Sequence, residues 1–373
     1  MNLFFLDSIE KETYGGMEEW IGLIADGLVS RGHNVTVAGR EGSEFLRRIV
    51  KFNGKIKCLP MEISGDFNPV TVAELKNWIS KNNIDLIIVN FNKDVRLGGI
   101  AAKLDRKTKV IWSVGLDITK DSFVHRHLTP KLIDGVIVPS AALAKQIAGS
   151  GYIDRKIIEV IPIGIAEKEI QTDKEAAQRE VRKRYNIPTD RKIAITVGRF
   201  VNQKGHKFLI EAAAKIVQKY KNITFLLIGD GPLRNDILNA ITKYNLEEHF
   251  FLTGMMDWFD LELLGSDLMI HPSIEEPFGI AVLEGMRASL PIVASNVGGI
   301  PEVVEENITA ILVPSSDSGA LANTVLDLLN KPDKMSEMGK AGYRRWQNEF
   351  RLENMVDRVE AYFQRQLSLS RCS

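Results

Sequence analysis

The sequence predicts an α/β fold built as two doubly wound parallel-sheet units in tandem. Short apolar runs rich in Val and Ile recur along the chain, each is followed by a segment with helical spacing, and the series is interrupted near the middle by a polar stretch. At roughly 150 residues per domain, the 373 residues make two domains, each long enough to bury a sizeable core.

The first series of strands is read at Asn2–Leu6, Asn34–Ala38, Leu86–Asn90, Val110–Val114 and Gly135–Val138. The second comprises Ile193–Val197, Thr224–Ile228, Phe250–Leu252, Leu268–His271, Pro291–Ala294 and Ala310–Val313. Between them, Ala166 to Asp190 carries Glu167, Lys168, Glu169, Lys174, Glu175, Arg179 and Glu180, a connection followed by a solvated helix. The domain boundary is placed near Pro162–Ala166, giving an N-terminal domain of residues 1–165 and a C-terminal domain of residues 166–349. At the end of the chain, Phe350, Leu352, Met355, Val356, Val359, Tyr362, Phe363 and Leu367 step by threes and fours. They form one apolar stripe on a helix over 350–373, and that stripe needs a cover.

Composition narrows the function. The chain has 48 Lys+Arg against 48 Asp+Glu, so no global field draws it to nucleic acid. Two cysteines, Cys58 and Cys372, are too few for a disulfide framework and suit a reducing compartment, so a cytoplasmic location is expected. The opening apolar run has no basic segment before it and is interrupted by Asp7, unlike a signal peptide, and no stretch reaches about 18 uninterrupted apolar residues.

Ligands of open parallel sheets collect at the carboxyl ends of the strands, and four loops there stand out. Tyr14-Gly15-Gly16-Met17 precedes the helical run Glu18 to Leu28; its helix start would suit a phosphate, and a plain turn is the alternative. Gly198-Arg199, with Lys204-Gly205-His206, joins a strand to the helical run Phe208 to Tyr220. Arg199 offers a planar fork and Lys204 a point charge to a diphosphate, unless both are merely solvated. Gly229-Asp230-Gly231-Pro232 follows the next strand and reads as a structural turn.

The third loop is the most informative. In Glu275-Glu276-Pro277-Phe278-Gly279, Pro277 and Gly279 mark a helix entry, and Ile280, Leu283, Glu284 and Arg287 then share one helix face. A carboxylate at Glu284 could accept two hydrogen bonds from a ribose diol, or pair with Arg287. Glu276 lies beside the free N–H groups of the helix start, as a cap or a ligand contact. The fourth loop, Ser295-Asn296-Val297-Gly298-Gly299-Ile300-Pro301-Glu302, is again glycine-rich, with Glu302 read as a cap.

Several chemistries lack their signatures. There is no Asp-x-Asp, His-Glu-x-x-His or paired Cys-x-x-Cys, and His125 and His127 lie two apart without partner ligands, so no metal is expected. A Walker loop, a Gly-x-Ser-x-Gly elbow and the Gly-x-Gly-x-x-Gly dinucleotide fingerprint are missing too. The last absence counts against a nicotinamide-dependent dehydrogenase.

Taken together, Gly15-Gly16, Gly198-Arg199 with Lys204-Gly205, Gly229-Asp230-Gly231-Pro232, and Glu276-Pro277-Phe278-Gly279 followed by Glu284 after seven intervening residues resemble retaining glycosyltransferases of family 4. The likeness is densest from Ile193 to Pro314. It implies the GT-B fold, in which two Rossmann-like domains face a cleft and a C-terminal helix crosses back to the N-terminal domain. It also implies a nucleotide-sugar donor, transfer with retention, and no cofactor. By the resemblance, Arg199 and Lys204 would hold the diphosphate, Glu284 the ribose and Glu276 the donor sugar. Phe278, Gly279 and Ile280 would present backbone N–H groups, Gly254 and Met255 would flank the base, and Gly15 and Gly16 would approach the diphosphate.

Many relatives place a histidine after the strand Val110–Val114, where this chain has Gly115-Leu116-Asp117. Asp117 is the candidate to take over part of that role. The implied acceptor is a glycan or a lipid-linked glycan, of the cell-envelope polysaccharide or lipopolysaccharide type. Residues 45–57 mix Phe45, Leu46, Ile49, Val50 and Phe52 with Arg47, Arg48, Lys51, Lys55 and Lys57. They could rest on an anionic membrane at the inner face of the cell, or form an ordinary helix with a packed apolar face. The alternative function is a non-catalytic GT-B-like protein that binds a nucleotide or carbohydrate.

Overall fold

The computed structural model describes residues 1–12, 15–52, 54–116, 119–120, 122–168 and 172–369. It divides into two compact units, Met1–Gly164 together with the chain from Leu352 onward, and Ile165–Arg351.

The first unit alternates strand and helix: β1 Asn2–Asp7, α1 Gly16–Ser30, β2 Asn34–Arg40, α2 Glu44–Ile49, β3 Lys57–Met61, α3 Pro69–Lys81, β4 Leu86–Val89, α4 Asn92–Asp105, β5 Lys109–Ser113, α5 Phe123–Leu132, β6 Gly135–Val138, α6 Ala141–Gly149 and β7 Ile158–Val160. The seven strands lie in the order β3-β2-β1-β4-β5-β6-β7, every pair parallel. A parallel sheet covered on both faces needs strands that are apolar on both faces. That is why β1 reads Leu-Phe-Phe-Leu without alternation and buries all four side chains completely.

The second unit contains α7 Lys174–Arg184, β8 Lys192–Val197, α8 His206–Lys219, β9 Ile223–Ile228, α9 Arg234–Lys243, β10 Phe250–Gly254, α10 Asp260–Leu264, β11 Leu268–His271, α11 Ile280–Arg287, β12 Ile292–Ser295, α12 Ile300–Val303, β13 Ile311–Val313, α13 Ser318–Leu329 and α14 Pro332–Glu349. Its six parallel strands run β10-β9-β8-β11-β12-β13. Both sheets are doubly wound. Strand order reverses between β1 and β4 in one sheet and between β8 and β11 in the other, and these are the switch points where such sheets open a crevice at their carboxyl ends.

Two edge strands escape the sequence reading. β3, Lys57–Met61, contains Pro60, which lacks a ladder donor and is tolerated only at an edge; β7 is three residues long with Glu159 at its centre. The C-terminal stripe also needs correction. It is not one helix over 350–373: α14 ends at Glu349, and Phe350 packs edge-on against Phe278 in the second unit, ring centroids 6.1 Å apart. A new helix, α15 Leu352–Leu369, then belongs to the first unit. Its Met355, Val356, Val359, Tyr362 and Phe363 are buried, with Val356 seated on Gly27 and the Tyr362 hydroxyl over Gly135. Arg31 pairs with Asp357 and Glu360, and His33 with Glu360, fastening the polar flank of α15.

Candidate active site

At the switch point of the second unit, the loops after β8 and β11 are stitched together. The backbone N–H groups of Ile274 and Glu275 donate to the Gln203 carbonyl at 2.7 and 3.3 Å. Gly205 has φ +66°, and a Cβ there would overlap the Pro272 carbonyl, so only glycine lets the two loops come this close. On the other flank Gly298, φ +52°, lies against the backbone of Glu276, and the Gly299 N–H donates to the Glu276 carbonyl at 3.0 Å. Glu276 is thus gripped by two glycine-dependent loops.

Its side chain is 9% exposed. One carboxylate oxygen, Oε2, accepts from Lys204 Nζ at 2.6 Å, from His271 Nε2 at 2.9 Å and from Ser273 Oγ at 3.3 Å. Burial alone would raise the pKa of Glu276. The hydrogen bond and electrostatic attraction of His271, followed by the charge and hydrogen bond of Lys204, outweigh it and hold the carboxyl at about 2, so Glu276 is ionised at any physiological pH. His206, the first residue of α8, is buried edge-on to Phe200, and neither ring nitrogen has a partner among the described residues. Burial, with His271 and Lys204 nearby, lowers its pKa to about 4, which leaves the imidazole neutral.

The other candidate positions surround this cluster. Gly198 lies against the aliphatic stem of Lys204. The Arg199 side chain is exposed and, among the described residues, makes no hydrogen bond or ion pair. Gly279, φ +114°, opens α11 with no side chain to cap it; its carbonyl takes the Val282 and Leu283 N–H groups, and among the described residues those of Ile280 and Ala281 remain available to an acceptor. Glu276 does not cap that helix. Phe278 is buried, and Glu284 is half-buried one turn into α11. Arg287 directs its guanidinium to Asp260 and to the Ala166 carbonyl at 2.9 Å. Gly254 closes β10 with φ +80°, its carbonyl accepting from Gly229, and Met255 beyond it is 65% exposed. Gly229 in turn packs against the Gly198 carbonyl. Lys204 and Glu276 are therefore in direct contact, Gly198 adjoins Lys204, and Phe278, Gly279, Ile280 and Glu284 form one loop and helix, whereas Arg199 is bonded to none of them.

Comparison with known proteins bears on these features. Residues 177–345 match the family model "Glycosyl transferases group 1", and residues 14–169 match "Glycosyltransferase Family 4". The chain thus carries a match to a glycosyltransferase family in each half. It is 34% identical over 170 residues, 45% of its length, to the alpha-D-kanosaminyltransferase of Streptomyces kanamyceticus. The chain spans 44%, 62% and 48% of the lengths of that relative and two further curated ones. It is also 24% identical to the GDP-mannose-dependent alpha-(1-6)-phosphatidylinositol monomannoside mannosyltransferase of Mycobacterium tuberculosis, over 89% of this chain and 90% of that one. Among solved structures, the Anabaena protein Alr3699/HepE in complex with UDP-glucose superposes with a TM-score of 0.83 at 21% identity, covering 98% of this chain and 99% of that one.

In the first unit Gly16 begins α1, with Gly15 at its cap position. The Glu18 carboxylate lies against Gly15, where the nearby backbone N–H groups of Gly15 and Glu18 favour its charge. Glu18 belongs to a set of buried acids at the switch point between β1 and β4. Asp7 accepts from Asn90 Nδ2 and from the Ile9 N–H, each at 2.8 Å, and Asp94 accepts from the N–H groups of Ser8 and Phe91. Burial is the main cause raising all three, Asp7 to about 6 and Glu18 and Asp94 to about 7, with the Asp7 charge adding to the other two. Among the described residues no group of three or more His, Cys, Asp or Glu could hold a metal ion. Asp117 lies outside the described residues. Gly115 is in contact with Met17, whose sulfur occupies the space that a side chain at 115 would need.

Sequence reasoning missed His271, Ser273 and His206, and in the first unit Asp7, Asn90 and Asp94. A polar residue closing an apolar strand was the available signal, present in both Asp7 and His271. Of the 45–57 segment, residues 45–49 belong to the short helix α2. Ser43 caps α2, Phe45, Leu46 and Ile49 are buried, Phe52 lies on Gly22, and Arg47 and Arg48 pair with Glu44. Phe45, Leu46 and Ile49 thus face the core, while Val50 is 64% exposed. Among the described residues, no helix is long and apolar enough to cross a membrane.

Proposed function

We propose that the protein transfers a sugar, with retention at the anomeric carbon, from a nucleoside-diphosphate sugar to a glycan or lipid-linked acceptor. The observation that carries this is the ionised Glu276 beside Lys204 at the switch point of the second unit, next to the uncapped start of α11. In that arrangement Arg199 and Lys204 meet the diphosphate, the α11 N–H groups add partial positive charge, Glu276 accepts from hydroxyls of the donor sugar, and Glu284 accepts from the ribose. Gly254 and Met255 lie where the base would rest.

Chemically, the leaving diphosphate gains negative charge as the glycosidic bond breaks. Fixed cations and helix-start amides stabilise that charge without reorganising, so the reaction is assigned no metal. Neither is a covalent nucleophile assigned: the acceptor attacks the face that the diphosphate leaves, and a phosphate oxygen takes its proton. The Anabaena protein is named as a complex with UDP-glucose and the mycobacterial relative as GDP-mannose-dependent, which supports a donor of this class. In the first unit, Asp117 and the α1 start at Gly15 and Gly16 are assigned to substrate contact, with the acceptor the substrate of that unit.

A thermal-shift panel of UDP, GDP, ADP and their glucose and mannose esters tests the reading. A ligand bound at about 100 times its dissociation constant adds roughly 2.7 kcal/mol to stability. One nucleotide and its sugar ester should raise the melting temperature, and the wild-type protein should release that nucleotide when an acceptor is supplied. No shift with any of them at millimolar concentration would overturn the assignment.

A further inference from the structure

His271 closes β11, a strand whose other residues, Leu268, Met269 and Ile270, are wholly buried. The imidazole itself is 1% exposed, and its Nδ1 is buried with no partner among the described residues. Packing does not account for it, since an aliphatic side chain there would avoid burying an unpartnered ring nitrogen. What the ring does make is a pair of hydrogen bonds through Nε2, to Glu276 Oε2 at 2.9 Å and to Ser273 Oγ at 3.0 Å. A carboxylate only accepts, so the ring hydrogen is assigned to Nε2. Ser273, fully buried, adds its hydroxyl to the same oxygen.

All the hydrogen bonds of the Glu276 carboxylate thus converge on Oε2, and among the described residues Oε1 takes none. We propose that His271, supported by Ser273, is a positioning residue that fixes Oε2 of Glu276 and turns Oε1 toward a hydroxyl of the donor sugar. The inference rests on the nucleotide-sugar reading above. Lys204 alone could not do this. Its ammonium has three donors and would share them with a diphosphate, which would draw it away from the carboxylate. The imidazole carries no such second duty. His271 therefore keeps sugar recognition independent of diphosphate recognition, which belongs to Arg199 and Lys204.

The test compares wild type with His271→Leu, His271→Gln and Ser273→Ala by calorimetric titration with UDP, GDP, UDP-glucose and GDP-mannose, with melting temperatures recorded alongside. Losing a hydrogen bond to a charged group should weaken the nucleotide sugar roughly 10- to 100-fold in H271L, while the matching diphosphate binds within about threefold of wild type. The H271Q amide, which can donate to the same oxygen, should recover most of the loss. Equal weakening of diphosphate and sugar ester, or of neither, would overturn the positioning role alone. A wild-type protein that binds none of the four would overturn the functional reading and this inference with it. If H271L does not fold, S273A carries the decision: a selective loss of a few-fold for the sugar ester upholds the role, and its absence refutes it.

Discussion

Arg199 and Lys204 are both loop cations after β8, yet their surroundings predict opposite phenotypes. Arg199 is exposed and unpaired, so replacing it should leave stability within about 0.5 kcal/mol. Arg199→Ala should nevertheless lower turnover by roughly 10² to 10³, the cost of one preorganised donor to developing charge. Near-normal turnover at saturating nucleotide sugar, using the donor found in the panel, would remove Arg199 from the site. Lys204→Met keeps the stem that packs on Gly198 but strips a 2.6 Å partner from a carboxylate that is 9% exposed. This variant should lose about 1.5–3 kcal/mol at neutral pH and, because the carboxyl of Glu276 then rises from its value of about 2 toward the ordinary 4.5, should lose less further stability than wild type on acidification below pH 4.5. Urea titrations of the variant and wild type at several pH values check both effects. Lys204 and Glu276 were legible in the sequence because a charged residue in a glycine-rich loop after a strand is conspicuous. His271 was not, since a histidine ending an apolar run looks like part of the strand until the loop of Glu276 folds back over it.

At the scale of elements, legibility followed burial. The strands packed on both faces, such as β1, β4 and β9, announce themselves as unbroken apolar runs. The edge strands β3 and β7 have a neighbour on one side only, so polar residues and proline are tolerated and the pattern fades. Phe350 kept the helical spacing of α15 by coincidence, for it ends the preceding segment and packs on Phe278. The glycines sort by what approaches them, which sequence cannot show. Gly32 and Gly205 both have positive φ, +84° and +66°, but nothing lies within 4 Å of a Cβ at Gly32, whereas one at Gly205 would overlap the Pro272 carbonyl. Gly32→Ala should therefore cost only the left-handed strain of about 1–2 kcal/mol. Gly205→Ala should cost clearly more, and should also weaken nucleotide binding by displacing the loop that carries Lys204. Chemical denaturation of the two variants side by side decides the order; equal losses would show that the loops after β8 and β11 are not in the close contact described.

For the whole molecule, the titrating groups of the two units pull in opposite directions as pH falls. In the first unit the folded pKa values of Asp7, Glu18 and Asp94, about 6, 7 and 7, lie above their ordinary values of 3.8, 4.5 and 3.8. Between those limits the folded form holds protons that the unfolded chain has released, so stability falls as pH rises and is gained on acidification from about 7 toward 4.5. His125, its pKa lowered chiefly by burial, opposes this as one group against three. In the second unit His206 is lowered from 6.5 to about 4. There the unfolded chain takes up the proton first, and stability is lost as pH falls through that window; Glu276, at about 2 against 4.5, extends the loss below pH 4.5. Moving from pH 7.5 to 5.5 should thus strengthen protection of the β1 and β4 amides against hydrogen exchange, after correction for the intrinsic rate, and weaken that of β8 and β11. Glu18→Gln, which cannot ionise, should reduce the gain in the first unit and leave the second unchanged. Protection that shifts in the same direction in both units would show that these buried groups do not govern the pH response.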